Sequence, residues 1–354
     1  MKVLVTGSDG YIGSLLAPML LDRGHDVVGL DTGFYRDGWL YNGVKRFPAC
    51  ISKDTRQITP EDLKGFEAVV HLAELSNDPL GQLRPEITYN INHLASVELA
   101  RRCKEAGVTR FIYSSSCSVY GAGSDVLKTE QSETVPQTAY AECKLLVERD
   151  VSELADDDLS PTFLRNATAY GPSPRMRFDI VLNNLAGFAW TTQQIRITSD
   201  GTPWRPLVHV LDICQAMACA LEAPREVIHN QILNVGETKE NYQTREMAEI
   251  VSETFPGCEL TFGTSDGDSR SYRASFDKIH SLLPRFRCRY DVRAGTNQLR
   301  ELFEWLALTA ETFRFRPFTR LKQLEYLIRT RQVDDNFYFH SHHEQPIEAT
   351  GAPI

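Results

Sequence analysis

The chain has 354 residues, enough for one large domain or two lobes. Hydrophobic residues make up 42% of it and charged residues 24%, which is typical of a globular enzyme with a sizeable core. The formal net charge of −9 disfavours general binding to nucleic acid or to an anionic membrane surface, so an anionic ligand would need local arginines and backbone amides.

The first half of the chain alternates short apolar runs with amphipathic segments. The predicted strands are 2–6, 26–30, 67–72 and 110–114, and the predicted helices are 11–23 and 90–106. Alternating strands and helices indicate a parallel sheet covered on both faces, and right-handed crossovers would make it doubly wound. We therefore expect a Rossmann-type α/β domain over residues 1–170.

The pattern changes after about residue 170, where two prolines and a glycine interrupt the alternation. Further on, the sequence predicts helices at 179–189 and 211–221 and strands at 194–198 and 231–235. We interpret 171–332 as a smaller C-terminal α/β lobe that binds the substrate. Residues 333–354 are polar with little periodicity, so they are predicted to form a C-terminal extension on the surface.

The cysteines indicate the cellular compartment of the protein, and the histidines are the candidates for metal binding. Eight cysteines include no Cys-x-x-Cys pair, and no apolar run resembles an export signal or a membrane span, so we expect reduced thiols and a cytoplasmic protein. His340, His342 and His343 lie close together near the C-terminus, but no partner ligands accompany them. No metal site is predicted.

A glycine-rich loop follows the first predicted strand and opens the first helix. Gly7, Gly10 and Gly13, with Tyr11 and Ile12 between them, would let a pyrophosphate approach the helix N-terminus, where free N–H groups and the helix dipole favour an anion. The spacing differs by one residue from Gly-x-Gly-x-x-Gly, and glycines alone could merely turn the chain. The order strand, loop, helix, strand favours dinucleotide binding.

Asp31, at the end of the second predicted strand, indicates whether the dinucleotide is NAD or NADP. The carboxylate of Asp31 can accept hydrogen bonds from both ribose hydroxyls of NAD and would repel the additional phosphate of NADP. Arg36 is the one nearby residue that could meet a 2′-phosphate. The predicted cofactor is NAD.

A serine, a tyrosine and a lysine suggest proton transfer. Ser116 lies just beyond the fourth predicted strand, and Tyr140 and Lys144, four residues apart, share one face of a helix. An ammonium beside a phenol favours the phenolate, so Tyr140 could act as general base on a substrate hydroxyl that Ser116 holds. An ordinary amphipathic pair is the alternative, which the glycine loop disfavours.

These residues resemble the extended short-chain dehydrogenase/reductase superfamily, in its NAD-dependent epimerase/dehydratase branch. The resemblance covers roughly residues 1–308. It rests on the segments VTGSDGYIG, VVHLA, SSSCSVYG, LRNATAYGP, RPLVHVLD and LNVG together with Asp31 and the Tyr140-x-x-x-Lys144 pair. It implies a nucleoside-diphosphate sugar as substrate and a homodimer built across the helices 90–106 and 140–154, with no nucleic-acid or membrane partner.

The resemblance also implies roles for particular residues. Ser116, Tyr140 and Lys144 match the catalytic triad, and Lys144 would also bond the nicotinamide ribose. The residues implied to lie along the cofactor are Asp54, Leu72, Ala73 and Asn90. Arg205 matches a residue that holds the substrate pyrophosphate, and Arg270 is the candidate for a second such residue.

Two departures from the family pattern bear on the reaction. Dehydratases of this branch carry Thr-Asp-Glu where this chain has Ser116-Cys117-Ser118, and the missing acids disfavour water elimination. A thiol at Cys117 could serve as acid or base instead, but a small buried side chain is the favoured interpretation, because nothing indicates a lowered pKa. A substrate-contacting asparagine of the family falls on Thr168, so contacts there are open.

The leading functional hypothesis is an NAD-dependent epimerase of a nucleoside-diphosphate sugar that passes through a 4-keto intermediate. A ketoreductase or dehydrogenase would use the same site with one-way hydride transfer. A variant dehydratase using Cys117 is a third hypothesis. A non-catalytic, dinucleotide-sensing protein on the same fold is the alternative from another class, and the retained Tyr140 and Lys144 disfavour it.

Overall fold

The computed structural model describes residues 1–42, 46–76, 84–264 and 270–340. Its strands are β1 (Lys2–Thr6), β2 (Asp26–Asp31), β3 (Ala49–Ser52), β4 (Ala68–His71), β5 (Arg110–Ser116), β6 (Ala122–Lys128), β7 (Ser160–Asn166), β8 (Thr168–Tyr170), β9 (Gln194–Ile197), β10 (Trp204–His209), β11 (Gln231–Val235), β12 (Asn241–Gln243), β13 (Glu259–Phe262) and β14 (Ser271–Ala274).

The helices of the described ranges are α1 (Gly13–Asp22), α2 (Pro85–Thr88), α3 (Ala95–Glu105), α4 (Ala139–Ser152), α5 (Val181–Thr192), α6 (Val210–Glu222), α7 (Arg225–Ile228), α8 (Thr244–Thr254), α9 (Asp277–Leu282), α10 (Val292–Trp305), α11 (Ala310–Arg314) and α12 (Arg320–Arg329). A π-helical turn, Tyr89–Leu94, joins α2 to α3. No described helix is both long enough and apolar enough to cross a bilayer.

The centre of the molecule is a seven-stranded parallel sheet in the order β11-β7-β5-β4-β1-β2-β3. Its inner strands are continuous apolar runs, as in β4, because helices cover both faces. The strand order reverses between β1 and β4, which opens a crevice at the carboxyl ends of these strands. The predicted doubly wound α/β fold is confirmed.

The second half of the chain is divided between this sheet and a smaller lobe. Strand β11, which the sequence reading placed in the smaller lobe, forms the edge of the central sheet beside β7. Helix α6 packs with α1 over one face of the sheet. The smaller lobe contains β8, β10 and β12 in one sheet, and α5, α8 and α10 around a core of their own.

The last described segment packs against the N-terminal domain. Leu324 and Leu327 of α12 join Val333 and Phe337 in a buried cluster with Phe34 and other residues beside the cavity. A β-bridge between residues 333 and 339 closes this turn. The first eight residues of the predicted C-terminal extension are therefore packed, and residues 341–354 lie outside the described ranges.

Candidate active site

A cavity of about 720 Å³ lies at the carboxyl ends of the parallel strands and extends to the smaller lobe. Most of the predicted site residues line it together: Gly7, Gly10, Tyr11, Ile12, Gly13, Asp31, Asp54, Leu72, Ala73, Ser116, Tyr140, Lys144, Thr168, Arg205 and Arg270. Asn90 and Cys117 are the two predicted residues outside its lining. One continuous space therefore joins the predicted cofactor, catalytic and substrate residues.

The glycine loop forms one wall of the cavity with main chain. Gly7 has φ of +70°, and a Cβ there would lie 2.8 Å from the amide nitrogen of Ala73. A Cβ on Gly13 would lie 2.1 Å from the carbonyl oxygen of Gly7. The absence of side chains lets the loop and the start of α1 present N–H groups to an anion, so this wall fits a dinucleotide pyrophosphate.

Asp31 is held at the end of β2 by two backbone amides. Its carboxylate accepts hydrogen bonds from Gly33 at 2.7 Å and from Asp9 at 3.1 Å. Burial raises the pKa of Asp31 to about 6, and the nearby Asp9 carboxylate adds to the rise. Arg175 forms an ion pair with Asp9 at 2.5 Å. A carboxylate fixed in this way suits the two hydroxyls of an unphosphorylated ribose.

Arg36 faces away from the large cavity. Its Nε donates a hydrogen bond to the Gly33 carbonyl at 3.3 Å, and its guanidinium lies 5.7 Å from the centroid of the Phe339 ring. Arg36 lines a separate, smaller cavity instead. The lining of the cavity that contains Asp31 therefore does not include Arg36, the residue that the sequence suggested could meet a 2′-phosphate.

Asp54 lines the cavity just after β3, and its carboxylate is already engaged. It accepts hydrogen bonds from the Arg56 backbone and guanidinium at 2.8 to 2.9 Å. Arg56 also lies over the ring of Tyr338 and donates to the Asn336 carbonyl. Arg56 thereby connects the C-terminal turn to Asp54. The adenine contact that the resemblance implies for Asp54 stays a prediction.

Ser116, Tyr140 and Lys144 come together at the mouth of the crevice. Ser116 ends β5, and its Oγ accepts a hydrogen bond from the Ser118 amide at 3.1 Å. Tyr140 and Lys144 lie one turn apart on α4, with the Lys144 Nζ 5.3 Å from the centroid of the Tyr140 ring. This arrangement supports the predicted pairing of phenol and ammonium.

A carboxylate that the sequence reading missed joins this cluster. Glu74 forms an ion pair with Lys144, which also donates to the Ser114 carbonyl, and both side chains are at most 5% exposed. Tyr113 donates a hydrogen bond to Glu74 at 2.5 Å. The available signal was position, because Glu74 directly follows Leu72 and Ala73, which were predicted to lie along the cofactor.

Cys117 is enclosed behind the cavity. It is fully buried, and its Sγ contacts the Arg165 carbonyl at 3.1 Å. Burial raises the pKa of the Cys117 thiol well above its ordinary value. A neutral thiol directed at a carbonyl packs the core, so this environment favours the packing interpretation over acid–base chemistry.

Two asparagines on the π-helical turn have different surroundings. Asn90 is exposed, whereas Asn92 is fully buried and exchanges hydrogen bonds with the Leu75 backbone at 2.8 and 3.0 Å. Residues two apart on a helical segment face different sides, and the role implied for Asn90 stays a prediction. Asn92 fixes the chain directly after Glu74, so it supports the site from behind.

The substrate end of the cavity is lined by side chains from the smaller lobe. Arg205 lies on β10 and donates hydrogen bonds to the carbonyls of Trp204, at 2.8 Å, and of Arg270. The structure thus brings the two predicted arginines into contact. Thr168 on β8 lines the same end. Both arginines line the cavity, and guanidinium groups there suit a pyrophosphate, since such charge-assisted contacts are strong.

Sequence reasoning also missed polar groups in the wall opposite Asp31. Arg177 pairs with Asp179 at 2.9 Å, and the guanidinium of Arg320 on α12 lies 3.8 Å from the Tyr35 ring centroid. All of them line the cavity. Burial lowers the pKa of Arg320 to about 10. Arg320 lay outside the predicted site because only the tertiary fold brings α12 to the cavity.

Three buried polar atoms of cavity-lining residues have no hydrogen-bond partner among the described residues. The Glu74 Oε2 is one of them, but it forms an ion pair with Lys144. The other two are the Ser118 Oγ and the Asn166 Oδ1. A buried polar atom without a partner is costly, so both are candidates for contact with a ligand.

Of the three clustered histidines, His340 alone is described, and the described residues contain no group of three or more potential metal ligands.

A family comparison is consistent with this site. The sequence model of the NAD dependent epimerase/dehydratase family matches residues 3–236. The UDP-glucose 4-epimerase of Corynebacterium glutamicum is 31% identical over 268 residues, which cover 72% of this chain and 80% of that protein. The region of similarity includes the glycine loop and the serine–tyrosine–lysine cluster.

Solved structures resemble the whole described fold. MoeE5 in complex with UDP-glucuronic acid and NAD has a TM-score of 0.75 and 29% identity, and the match covers 87% of this chain and all of that one. The UDP-glucuronic acid 4-epimerase of Bacillus cereus, in complex with UDP-glucuronic acid and NAD, has a TM-score of 0.72 and 25% identity, with 85% and 100% covered.

Proposed function

The chain belongs to the NAD-dependent epimerase/dehydratase family, and on this premise we propose that it interconverts the C4 epimers of a UDP-linked hexose or hexuronic acid. The family and the NAD dependence predicted from the motifs are confirmed. The choice of uridine rests on the relatives, which are UDP-glucose and UDP-glucuronic acid 4-epimerases.

One observation carries the proposed reaction. Ser116, Tyr140 and Lys144 form a single proton- and hydride-handling centre between a dinucleotide wall and two adjacent arginines. Water elimination needs a further acid and base, but Cys117 is buried outside the cavity and Glu74 is engaged by Lys144 and Tyr113. A redox-neutral epimerisation needs no further group.

The chain's residues divide the work as follows. Tyr140 takes the proton of the 4-hydroxyl as general base and returns it to the 4-oxygen after the sugar has turned. Ser116 holds the same oxygen by a hydrogen bond, and Lys144 supports the phenolate. The glycine wall and Asp31 would hold NAD, which would supply the hydride acceptor for C4 and the hydride donor for its return to the opposite face.

The substrate is held at the other end of the cavity. Arg205 and Arg270 bind the pyrophosphate as a pair, which anchors the nucleotide while the sugar ring turns over. Anchoring by the pyrophosphate suits this mechanism, because the sugar must present either face to the cofactor without leaving the site. Ser118 and Asn166 offer the unpaired polar atoms nearest the triad for sugar contacts.

The proposal is tested with purified protein and no added cofactor. The protein is incubated with UDP-glucose and, separately, with UDP-glucuronic acid, and the products are read by NMR. Formation of the C4 epimer from one of them is expected. A 4-keto, 6-deoxy product would identify a dehydratase, and accumulation of NADH in proportion to substrate would identify a dehydrogenase; either result contradicts the proposal.

We extend the proposal to assembly and location. The π-helical turn that leads into α3 is joined to α4 by a hydrogen bond between His93 and Asp150 at 2.6 Å, and Leu94 of this turn is 56% exposed. A homodimer across these helices would cover Leu94. Light scattering on the wild type and on Leu94→Glu tests this, with a monomeric wild type as the contrary result.

A cytoplasmic location is also proposed, from the reduced cysteines.

A further inference from the structure

Lys144 has a buried carboxylate as its partner. The Glu74 side chain is 2% exposed and the Lys144 side chain 5%, and they form an ion pair. Glu74 is fixed from the other side by Tyr113, whose hydroxyl donates to it at 2.5 Å. The loop after β4, the strand β5 and the helix α4 therefore meet at this one carboxylate.

The pair is isolated from water and faces few other titratable groups. Those that face it from the surrounding elements are His71 on β4, Tyr113 on β5, and Tyr140 and Cys143 on α4. Tyr140 is also faced by the Arg177 guanidinium across the cavity lining. Burial raises the pKa of Glu74, and the Lys144 ammonium and the Tyr113 hydrogen bond oppose that rise. A buried charge is costly without a partner, and the two opposite charges offset this cost for each other. The carboxylate is thereby a fixed part of the catalytic cluster.

We propose that Glu74 is a positioning residue of the catalytic centre: it holds the Lys144 ammonium against the Ser114 carbonyl and partly offsets its charge, and so sets the pH at which Tyr140 ionises. This inference depends on the proposed function only in taking Tyr140 as the base. An ammonium carries three donors, and the described contacts use two of them, so one is left for a ribose hydroxyl of the cofactor.

The electrostatics give the direction of the effect. Burial lowers the pKa of Lys144, but the Glu74 carboxylate, together with Tyr140 and Cys143, raises that pKa above its ordinary value. The negative charge of Glu74 opposes ionisation of the neighbouring phenol. Removing it should therefore lower the pH at which Tyr140 ionises, with the phenolate then replacing the carboxylate as partner of the Lys144 ammonium. A role in packing alone would leave this midpoint in place.

The test is a titration that needs no substrate. The tyrosinate absorbance of the NAD-bound protein is followed against pH in the wild type and in Glu74→Gln. In each background the signal of Tyr140 is isolated by subtracting the titration of the same protein carrying Tyr140→Phe in addition, which also removes the contribution of Tyr113. We expect the Tyr140 midpoint to move down by about one pH unit, as a unit charge several ångströms away at a partly buried site would cause. An unchanged or higher midpoint overturns the proposal.

Three further variants make the result specific. Glu74→Asp keeps the charge, so its midpoint should stay closer to the wild type than that of Glu74→Gln. Glu142→Gln is the matched control, because Glu142 lies on the same helix but bonds Tyr89 on the surface at 2.6 Å, and its midpoint should not move. If Glu74→Gln fails to fold, Glu74→Ala admits water beside Lys144 and is used in the same way, with the same two outcomes.

Failure of this inference is separable from failure of the proposed function. If Tyr140 titrates as predicted in Glu74→Gln but no UDP-sugar is converted, the substrate assignment is wrong and the role of Glu74 stands. If epimerisation is observed while the midpoint stays unchanged, the function stands and Glu74 is a packing residue.

Discussion

The cofactor end of the cavity and its substrate end are built from different parts of the chain. The cofactor end is formed by loops after β1, β2 and β4, adjacent strands of one parallel sheet, and main chain makes up much of its wall, as at Gly7. The substrate end takes single side chains, such as Arg205, from short strands of separate small sheets. A wall of main chain can bind the pyrophosphate of any dinucleotide, so the cofactor end does not depend on individual side chains. The substrate end depends on individual side chains, so a single substitution there can change which substrate binds.

The catalytic centre lies between the two ends, so the largest expected effect removes chemistry and leaves both ends intact. Tyr140→Phe should lower kcat by about 10²–10⁴-fold, the usual loss on removing a general base. NAD bound per protein, measured after denaturation, should equal the wild type. Wild-type turnover in this variant would remove Tyr140 from the mechanism.

The substrate end is tested by Arg205→Ala. Loss of a charge-assisted contact to the pyrophosphate should raise KM for the UDP-sugar by roughly tenfold to a hundredfold. NAD content should not change, because Arg205 lies at the other end of the cavity. Arg293→Ala is the matched control, since Arg293 is exposed and pairs with Glu253 outside the lining. An equal loss of NAD from Arg205→Ala would mean that the two ends are not separate.

The cofactor end is tested by pH. Because burial raises the pKa of Asp31 to about 6, this carboxylate is ionised above that pH and protonated below it. The ionised form accepts the ribose hydroxyls, so NAD affinity should be constant above about pH 6 and fall below it by up to about tenfold per pH unit. Titration calorimetry of the NAD-free protein measures this.

Asp31→Asn supplies the contrast for that measurement. It cannot ionise, so its weaker binding of NAD should not change through the same pH range. A wild-type affinity that stays constant down to pH 5 would show that Asp31 is not the group that controls cofactor binding.

The smallest effect is expected at a residue that belongs to neither end. Cys117 is buried behind Ser116 and bonded to a carbonyl, so Cys117→Ala should keep at least about a tenth of kcat, well short of the loss for an acid–base group. A loss of roughly a thousandfold with NAD still bound would return Cys117 to the mechanism as an acid or base.

The same contrast explains what the sequence could predict. Gly7, Gly10, Gly13 and Asp31 are close in sequence, and local rules of turns and helix termini relate them to one ligand. Lys144 was likewise found by its spacing from Tyr140. These local patterns predicted the parallel sheet and the cofactor wall.

What the sequence did not predict depends on contacts between distant segments. The apolar run of β11 indicates a strand but not the sheet that it joins, and pairing with β7 decides that. Arg320 reaches the cavity because α12 packs on the loop after β2. Glu74 becomes part of the site through Lys144, 70 residues away. Asn92 supports the chain after Glu74 because it lies on the inward side of a π-helical turn.

The central claim is that the enzyme inverts C4 by moving hydride between the sugar and bound NAD. The most direct measurement is conversion of the accepted UDP-sugar in D₂O without added cofactor, with the products examined by NMR. The account predicts that both epimers form and that neither carries deuterium on any carbon, because the transferred hydrogen never exchanges with solvent. Deuterium at C3 or C5 would contradict the account, since it would mean that a carbon acid is deprotonated.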